Sequence, residues 1–178
     1  MITFAVGLQA QTYVVTPYGL RDADNLDKSY VVIDVEGKSA QEVYDRAREY
    51  IIRTFKNPDL VERGAIDNKY LRYNTYADGV TTIPIPLNNL VYGASYSVEL
   101  AFKDGKVKHE VILLELDSDG NTLGFQPQRL AMGWWLYSKK GKLKLPKNKA
   151  EIEAYFESIV ADLAAYLRGT SETDDDDW

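Results

Sequence analysis

YSVELAFKDGKVKHEVILLEL (residues 96–116) contains two runs rich in Val, Leu and Ile on either side of Asp104-Gly105. An Asp-Gly pair in this setting predicts a two-residue hairpin turn, whose central residues must tolerate positive φ. The two strands then pair Leu100 with His109. Because side chains alternate between the two faces of a strand, one face of this hairpin is predicted to be apolar. Its predicted members are Tyr96, Val98, Leu100, Phe102, Val107, His109, Val111 and Leu113.

His109 is the only histidine in the chain. Its predicted direction, into the apolar face, favours a neutral core residue that hydrogen-bonds a backbone group or a water at the edge, over a catalytic base or a metal ligand. The opposite face places Glu99 against Glu110. Two opposed carboxylates either share a proton or hold a cation, as in acid–base and glycosidase sites, or lie on a solvated face where Lys103 and Lys108 neutralise them.

Helix signals flank the sheet signals. Residues 30–35 form a β-branched and aromatic run that predicts a strand, and Ser39 with Glu42 forms a capping box that predicts a helix ending before Asn57-Pro58. A second helix is predicted from Asn148, with Glu151 at capping-box distance, to Gly169. The prolines of residues 83–94 predict a loop or a sheet edge, and residues 117–147 are predicted to be rich in loops.

Two amphipathic helices require a shared apolar surface, which an antiparallel sheet with one apolar face supplies. The sequence therefore predicts an α+β fold: a two-layer sandwich in which two helices pack on one face of an antiparallel sheet. One domain is predicted over residues 12–168, followed by an acidic flexible tail over 169–178. Residues 1–11 are either the remnant of a secretory signal peptide or an N-terminal strand.

Composition excludes several kinds of chemistry. The chain of 178 residues has no cysteine and a net charge of −6, so thiolate chemistry is excluded and broad binding to nucleic acid is disfavoured. No phosphate-binding glycine loop and no G-x-S-x-G motif occurs. Residues 117–121, DSDGN, lack the glutamate that completes a calcium loop, so a turn is predicted there. No metal and no cofactor is expected.

Two features of the sequence are typical of binding surfaces. Trp134 and Trp135 precede a lysine-rich stretch that includes Lys139 and Lys140, which suits a partner surface or stacking on a glycan or base. The alternative is that one tryptophan caps the core and the lysines are simply solvated. The second is the acidic segment Asp174 to Trp178, which resembles the acidic, aromatic-ended C-termini through which single-stranded-DNA-binding proteins dock partners.

Residues 30–61 (YVVIDVEGKSAQEVYDRAREYIIRTFKNPDLV), 100–111 (LAFKDGKVKHEV) and 138–167 (SKKGKLKLPKNKAEIEAYFESIVADLAAYL) together resemble a bacterial family of unknown function with a TBP-like fold. That family is typical of secreted or envelope proteins of gut-type Gram-negative bacteria. The resemblance implies a β-α-β4-α layout and no catalytic residues. A phage-borne member, built into a virion, would also begin at a native methionine.

The expected function is a non-catalytic interaction or structural module, because no convergent set of nucleophile, base and oxyanion donors is present. Its expected partner is a protein or further copies of the chain. Its expected location is periplasmic or extracellular if Met1 lies within a signal peptide, and otherwise a virion or the cytoplasm. The alternatives are a phage virion structural protein, a small hydrolase using Glu99 and Glu110, and a binder of small apolar ligands in a cavity between sheet and helices.

Overall fold

A computed structural model of the protein describes residues 12–127 and 133–170, which form one sheet-rich body with two long helices. In chain order the elements are β1 (Tyr13–Thr16), β2 (Gly19–Asp22), β3 (Tyr30–Asp34), α1 (Ala40–Thr54), α2 (Pro58–Val61), β4 (Glu62–Ile66), β5 (Tyr70–Ile85), β6 (Asn88–Lys103), β7 (Lys106–Ser118), β8 (Asn121–Gly124), β9 (Trp134–Trp135) and α3 (Pro146–Arg168).

The main sheet is built around three long, consecutive strands. Its order is β4-β5-β6-β7-β8-β9, and β3 also pairs with β7. All these pairings are antiparallel except that of β8 with β9, which is parallel. The hairpin β1–β2 forms a separate two-stranded sheet. The predicted α+β class is therefore confirmed, whereas the sequence patterns gave no sign of β1 and β2.

Both long helices pack on the same side of β6, which we call the inner face. Tyr44 of α1 meets Phe102 edge-on, with ring centroids 5.4 Å apart. Phe156 of α3 meets Tyr96 at 5.3 Å. Tyr96 and Phe102 are six residues apart on one strand and so lie on the same face. The inner face carries most of the apolar core, including the fully buried Leu100.

The predicted register of the central hairpin is confirmed from Lys103 opposite Lys106 to Val98 opposite Val111. Only Gly105 of the two turn residues has a positive φ, 73°. Asp104 instead accepts a hydrogen bond from the backbone N–H of Ala40 at 2.9 Å, and Gly105 donates to the carbonyl of Lys38. The turn is thus fixed by its contacts with the start of α1, where a carboxylate is also favoured by the helix dipole.

The predicted direction of Leu113 is wrong. Between Ser97 opposite Ile112 and Ser95 opposite Glu115, β7 contains one more residue than β6, which is a β-bulge. Leu113 lies in this bulge with φ 52°, and it is 69% exposed. The extra residue shifts the alternation of side chains by one position. Odd-numbered residues face the core before the bulge, whereas the even-numbered Leu116 faces it after the bulge.

The prediction of a loop for residues 83–94 is also wrong, whereas the alternative of a sheet edge is correct. β5 and β6 continue their pairing as far as Ile85 opposite Asn88. Pro84 pairs with Asn89 in a part of β5 that lies beyond the short strand β4, so β5 has a sheet neighbour on one side there within residues 12–127. Such an edge position is where a sheet tolerates proline.

The predicted start of the last helix at Asn148 is wrong by two residues. α3 begins at Pro146, and Leu145 precedes it without a side-chain cap. Proline suits the first turn because its missing N–H would have no helical partner. Asn148 donates instead to Thr81 Oγ1 at 2.8 Å, and the Thr81 hydroxyl donates to Glu151 at 2.6 Å. The spacing that suggested a cap therefore serves to attach α3 to β5. The predicted capping box of Ser39 and Glu42 and the left-handed Gly169 after α3 are both confirmed.

Candidate interaction surface

The outer face of the sheet, on the side away from α1 and α3, carries a set of polar and tyrosine side chains. They come from β3, β5, β6 and β7, and the strand registers place them on one face. They include Tyr30, Tyr70, Arg72, Asn74, Tyr76, Ser97, Glu99, Lys108 and Glu110.

Glu99 and Glu110 lie directly opposite each other on the outer face, as predicted. Glu99 accepts a hydrogen bond from the Tyr70 hydroxyl at 2.8 Å and lies 3.8 Å from Arg72 Nη1. Glu110 lies 2.5 Å from Lys108 Nζ. Each carboxylate thus has a cation of its own, contributed in the case of Glu99 by a neighbouring strand.

The pKa of Glu110 indicates which protonation state it holds. Partial burial acts to raise this pKa, but hydrogen bonds from Lys108 and from the Ser29 hydroxyl, 2.5 Å away, outweigh burial and hold the pKa below the ordinary value. A carboxyl that works as a general acid near neutral pH needs the opposite shift. Glu110 therefore stays ionised at neutral pH.

His109 lies on the inner face, fully buried, as predicted. The Tyr13 hydroxyl donates to the backbone carbonyl of His109 at 2.6 Å and lies 3.0 Å from its Nδ1. Since the hydroxyl hydrogen of Tyr13 is donated to this carbonyl, Nδ1 of His109 must carry the ring hydrogen and donate to the tyrosine oxygen. Nε2 has no partner within the described residues. Burial lowers the pKa of His109 to about 4, so the ring is neutral, and the Tyr13 hydroxyl is a partner that the sequence did not predict.

The two adjacent tryptophans occupy different environments. Both belong to β9, which β8 positions by pairing Leu123 with Trp134 and Gly124 with Trp135. Trp134 is 39% exposed. Trp135 is half-buried, and its six-membered ring lies directly over Gly124, where a Cβ atom would overlap it. The structure therefore separates a solvent-facing ring from a packed one.

Gly124 is expected to be essential for the packing of Trp135. Gly124→Ala should lower the free energy of unfolding by about 1–3 kcal/mol, because the new methyl group overlaps the indole ring. Urea denaturation followed by tryptophan fluorescence measures this loss. Gly64→Ala is the matched control, since a Cβ at Gly64 meets no atom within 4 Å. Equal losses in the two variants would contradict the close packing.

Lys139 and Lys140 lie on the surface of a tight turn that follows β9. Ser138 and Lys142 close this turn by a backbone hydrogen bond of 2.8 Å, and Gln126 anchors it by donating to the carbonyl of Ser138 at 2.9 Å. Trp178 and the acidic segment around it lie outside the described residues.

A hollow of about 190 Å³ lies along the edge of β7 that faces away from β6, between the pairings of this edge with β3 and β8. This is a different place from the cavity between sheet and helices that a binder of apolar ligands would need. The residues around the hollow are Tyr18, Gly19, Leu20, Arg21, Ser29, Val111, Leu114 and Phe125.

In residues 12–127 and 133–170, no three His, Asp or Glu side chains come together as metal ligands would. No helix in the same ranges combines the length and the apolar character that crossing a membrane requires.

No family model matches the chain, and no curated protein matches it in sequence. Two solved structures are similar to it. A DUF4468 family protein from Bacteroides ovatus is 14% identical, with 82% of this chain and 90% of that chain covered and a TM-score of 0.51. A TBP-like protein from Parabacteroides distasonis is 12% identical, with 80% and 96% covered and a TM-score of 0.50. These likenesses concern the fold alone: the chain has the α+β class that its sequence predicted and the TBP-like fold that the family resemblance implied, as found in proteins of gut Bacteroidales.

Proposed function

We propose that the protein is a non-catalytic module that binds a protein partner through the outer face of its sheet. The observation that carries this proposal is the pairing of charges within that face. Arg72 forms an ion pair with Glu99, and Lys108 forms one with Glu110. A face with its charges already matched can be covered by a partner at a lower desolvation cost than one with unpaired charges.

The residue types on the outer face also suit protein binding. Tyrosine and arginine are enriched among the residues that dominate binding energy at protein interfaces, because they combine a large apolar area with a polar end. Tyr76 is 59% exposed on this face, and Tyr30 lies 4.6 Å beneath the ammonium group of Lys108. The fixed geometry of these pairs reduces the entropy that binding would cost.

The same charges disfavour two other classes of function. At the outer face, nucleic acid would require clustered cations that are free to release counterions from phosphates, whereas Arg72 and Lys108 are paired with carboxylates. For a hydrolase using Glu99 and Glu110, the lowered pKa of Glu110 opposes a general-acid role for that residue, and its contacts with Lys108 and Ser29 occupy the carboxylate. The apolar run of residues 1–8, followed by Ala10, resembles the end of a secretory signal and so supports a place in the cell envelope.

Site-specific photocrosslinking in the cells that produce the protein tests the proposal. A benzophenone amino acid at Tyr76 should give one discrete adduct, since Tyr76 is exposed on the outer face. The same group at Glu157, on the exposed side of α3, is the matched control and should not give that adduct. Cell fractionation of the adduct reports its location.

Arg72→Ala in the Tyr76 crosslinking variant should weaken the adduct, because it leaves Glu99 without its cation. Circular dichroism of the purified variant checks that folding is unchanged. An identical adduct from Tyr76 and Glu157, or none from Tyr76, would contradict binding through the outer face.

A further inference from the structure

Four lysines after β9 form a second surface, which we call the lysine ribbon: Lys139, Lys140, Lys142 and Lys144. All four are exposed, and the closed turn from Ser138 to Lys142 fixes the first three of them close together. Tyr137, at the base of the turn, donates to the carbonyl of Val15 at 2.6 Å. The ribbon is therefore held on the body of the protein.

The lysines of the ribbon differ from those that follow. Lys147 lies 3.3 Å from Glu151, and Lys149 pairs with Glu153 on the first turns of α3. None of the four ribbon lysines forms an ion pair within residues 12–127 and 133–170. Four neighbouring like charges repel one another, so an anionic partner is favoured there. The ribbon stands out in a chain whose net charge is −6.

A segment of matching charge lies beyond the other end of α3. Residues 171–178, SETDDDDW, contain five acidic residues, Glu172 and Asp174 to Asp177, and one tryptophan. α3 ends at Arg168, and Thr170 donates to the carbonyl of Ala165, so the chain leaves the helix at this point.

The length of α3 favours the ribbon of another copy as the partner of this segment. The 23 residues of α3 span about 34 Å at 1.5 Å per residue. The ribbon ends at Lys144, just before the helix starts, whereas Asp177 lies seven residues past Thr170 and so at most about 25 Å from it. The acidic residues would reach the ribbon of their own copy only with the segment and the lysine side chains close to fully extended along α3. The ribbon of another copy has no such restriction.

We propose that the acidic segment 171–178 of one copy binds the lysine ribbon of a second copy. The two surfaces are different, so the contact is head-to-tail, and repetition gives rings or chains of copies. Because the contact consists of exposed ion pairs, it is weak for each pair and depends on salt. This self-association uses neither Arg72 nor Tyr76, so the result of the crosslinking experiment at the outer face does not decide it.

Sedimentation velocity of the full chain from 5 to 200 µM tests the proposal. At 50 mM NaCl the weight-average sedimentation coefficient should rise with concentration, and at 500 mM NaCl this rise should disappear. Removal of residues 171–178, or the triple change Lys139→Glu, Lys140→Glu and Lys142→Glu, should each give a monomer at both salt concentrations. The matched control, Lys69→Glu with Lys103→Glu and Lys106→Glu, changes three exposed lysines elsewhere and should still associate.

Mixing two variants gives the sharpest test. The tail-deleted protein retains the ribbon, and the ribbon-reversed protein retains the acidic segment, so each is a monomer alone while the mixture should form a complex of one copy of each. A synthetic peptide of residues 170–178 should also bind the tail-deleted protein at 50 mM NaCl. A full chain that stays monomeric at 200 µM, association that survives tail deletion, or a mixture that stays monomeric would each overturn the proposal.

Discussion

Phe156→Ala should lower the free energy of unfolding by about 3–5 kcal/mol, the range for removal of a fully buried phenylalanine ring. Phe156 has no exposed surface. Its ring meets those of Tyr13, Tyr96 and Tyr155 at centroid distances of 6.4, 5.3 and 5.2 Å, each near the edge-on geometry that aromatic pairs prefer. It therefore joins β1, β6 and α3, and its loss leaves a cavity that three elements line.

Urea denaturation of wild type and variant at pH 7.5 measures this loss. Phe55→Ala makes the same chemical change where the ring is half-buried and meets one aromatic ring, that of Tyr73 at 5.7 Å, so its cost should be clearly smaller. If Phe156→Ala lowered the free energy of unfolding no more than Phe55→Ala does, the contacts of Phe156 with its three tyrosine rings would not be what holds β1, β6 and α3 together. An unchanged m-value is needed to attribute the loss to the native state.

The parts of the fold that were predictable from sequence are those in which local chemistry and tertiary structure agree. The Asp104-Gly105 turn and the Ser39–Glu42 capping box each depend on residues at most three positions apart, and both are present. The bulge at Leu113 was not predictable, because strict alternation fits the apolar pattern of β7 equally well.

Asn148 and Glu151 show how tertiary contacts compete with a local signal. Their spacing is that of a capping box, but Pro146 can already begin the helix, and the hydroxyl of Thr81 offers both side chains a partner. Thr81 lies 67 residues before Asn148, so no pattern in the sequence near α3 indicates this contact.

The candidate site was predictable only where the local sequence was sufficient to place its residues. The opposition of Glu99 and Glu110 follows from the hairpin register alone. Their partners do not: Ser29 precedes β3, and Arg72 belongs to β5, so pairing across strands had to be known before either could be assigned. Lys108 was the one predicted neutralising residue that the structure places in contact, with Glu110.

The stability of the protein should fall as the pH drops from about 6.5 towards 4, and above about pH 5 the main cause should be His109. His109 has a pKa of about 4 in the folded protein, against 6.5 for the free side chain. In this interval the unfolded chain binds a proton that the buried ring cannot accept, so acid favours unfolding. The stabilisation is fully present above pH 6.5 and is lost progressively as the pH falls towards 4.

The expected loss is about 1.4 kcal/mol per pH unit, or roughly 3 kcal/mol in all, measured as the free energy of unfolding in urea from pH 7.5 to 4.5. Since the chain contains one histidine, no other histidine contributes to this slope. His109→Asn retains an N–H donor for the Tyr13 oxygen but cannot titrate, so its stability should be nearly constant from pH 6.5 to 5. The NMR signal of the His109 ring gives an independent reading, because it should not shift in the folded protein above about pH 5. A ring that titrates near pH 6.5, or an equal slope in the Asn variant, would show that His109 is not held neutral by burial.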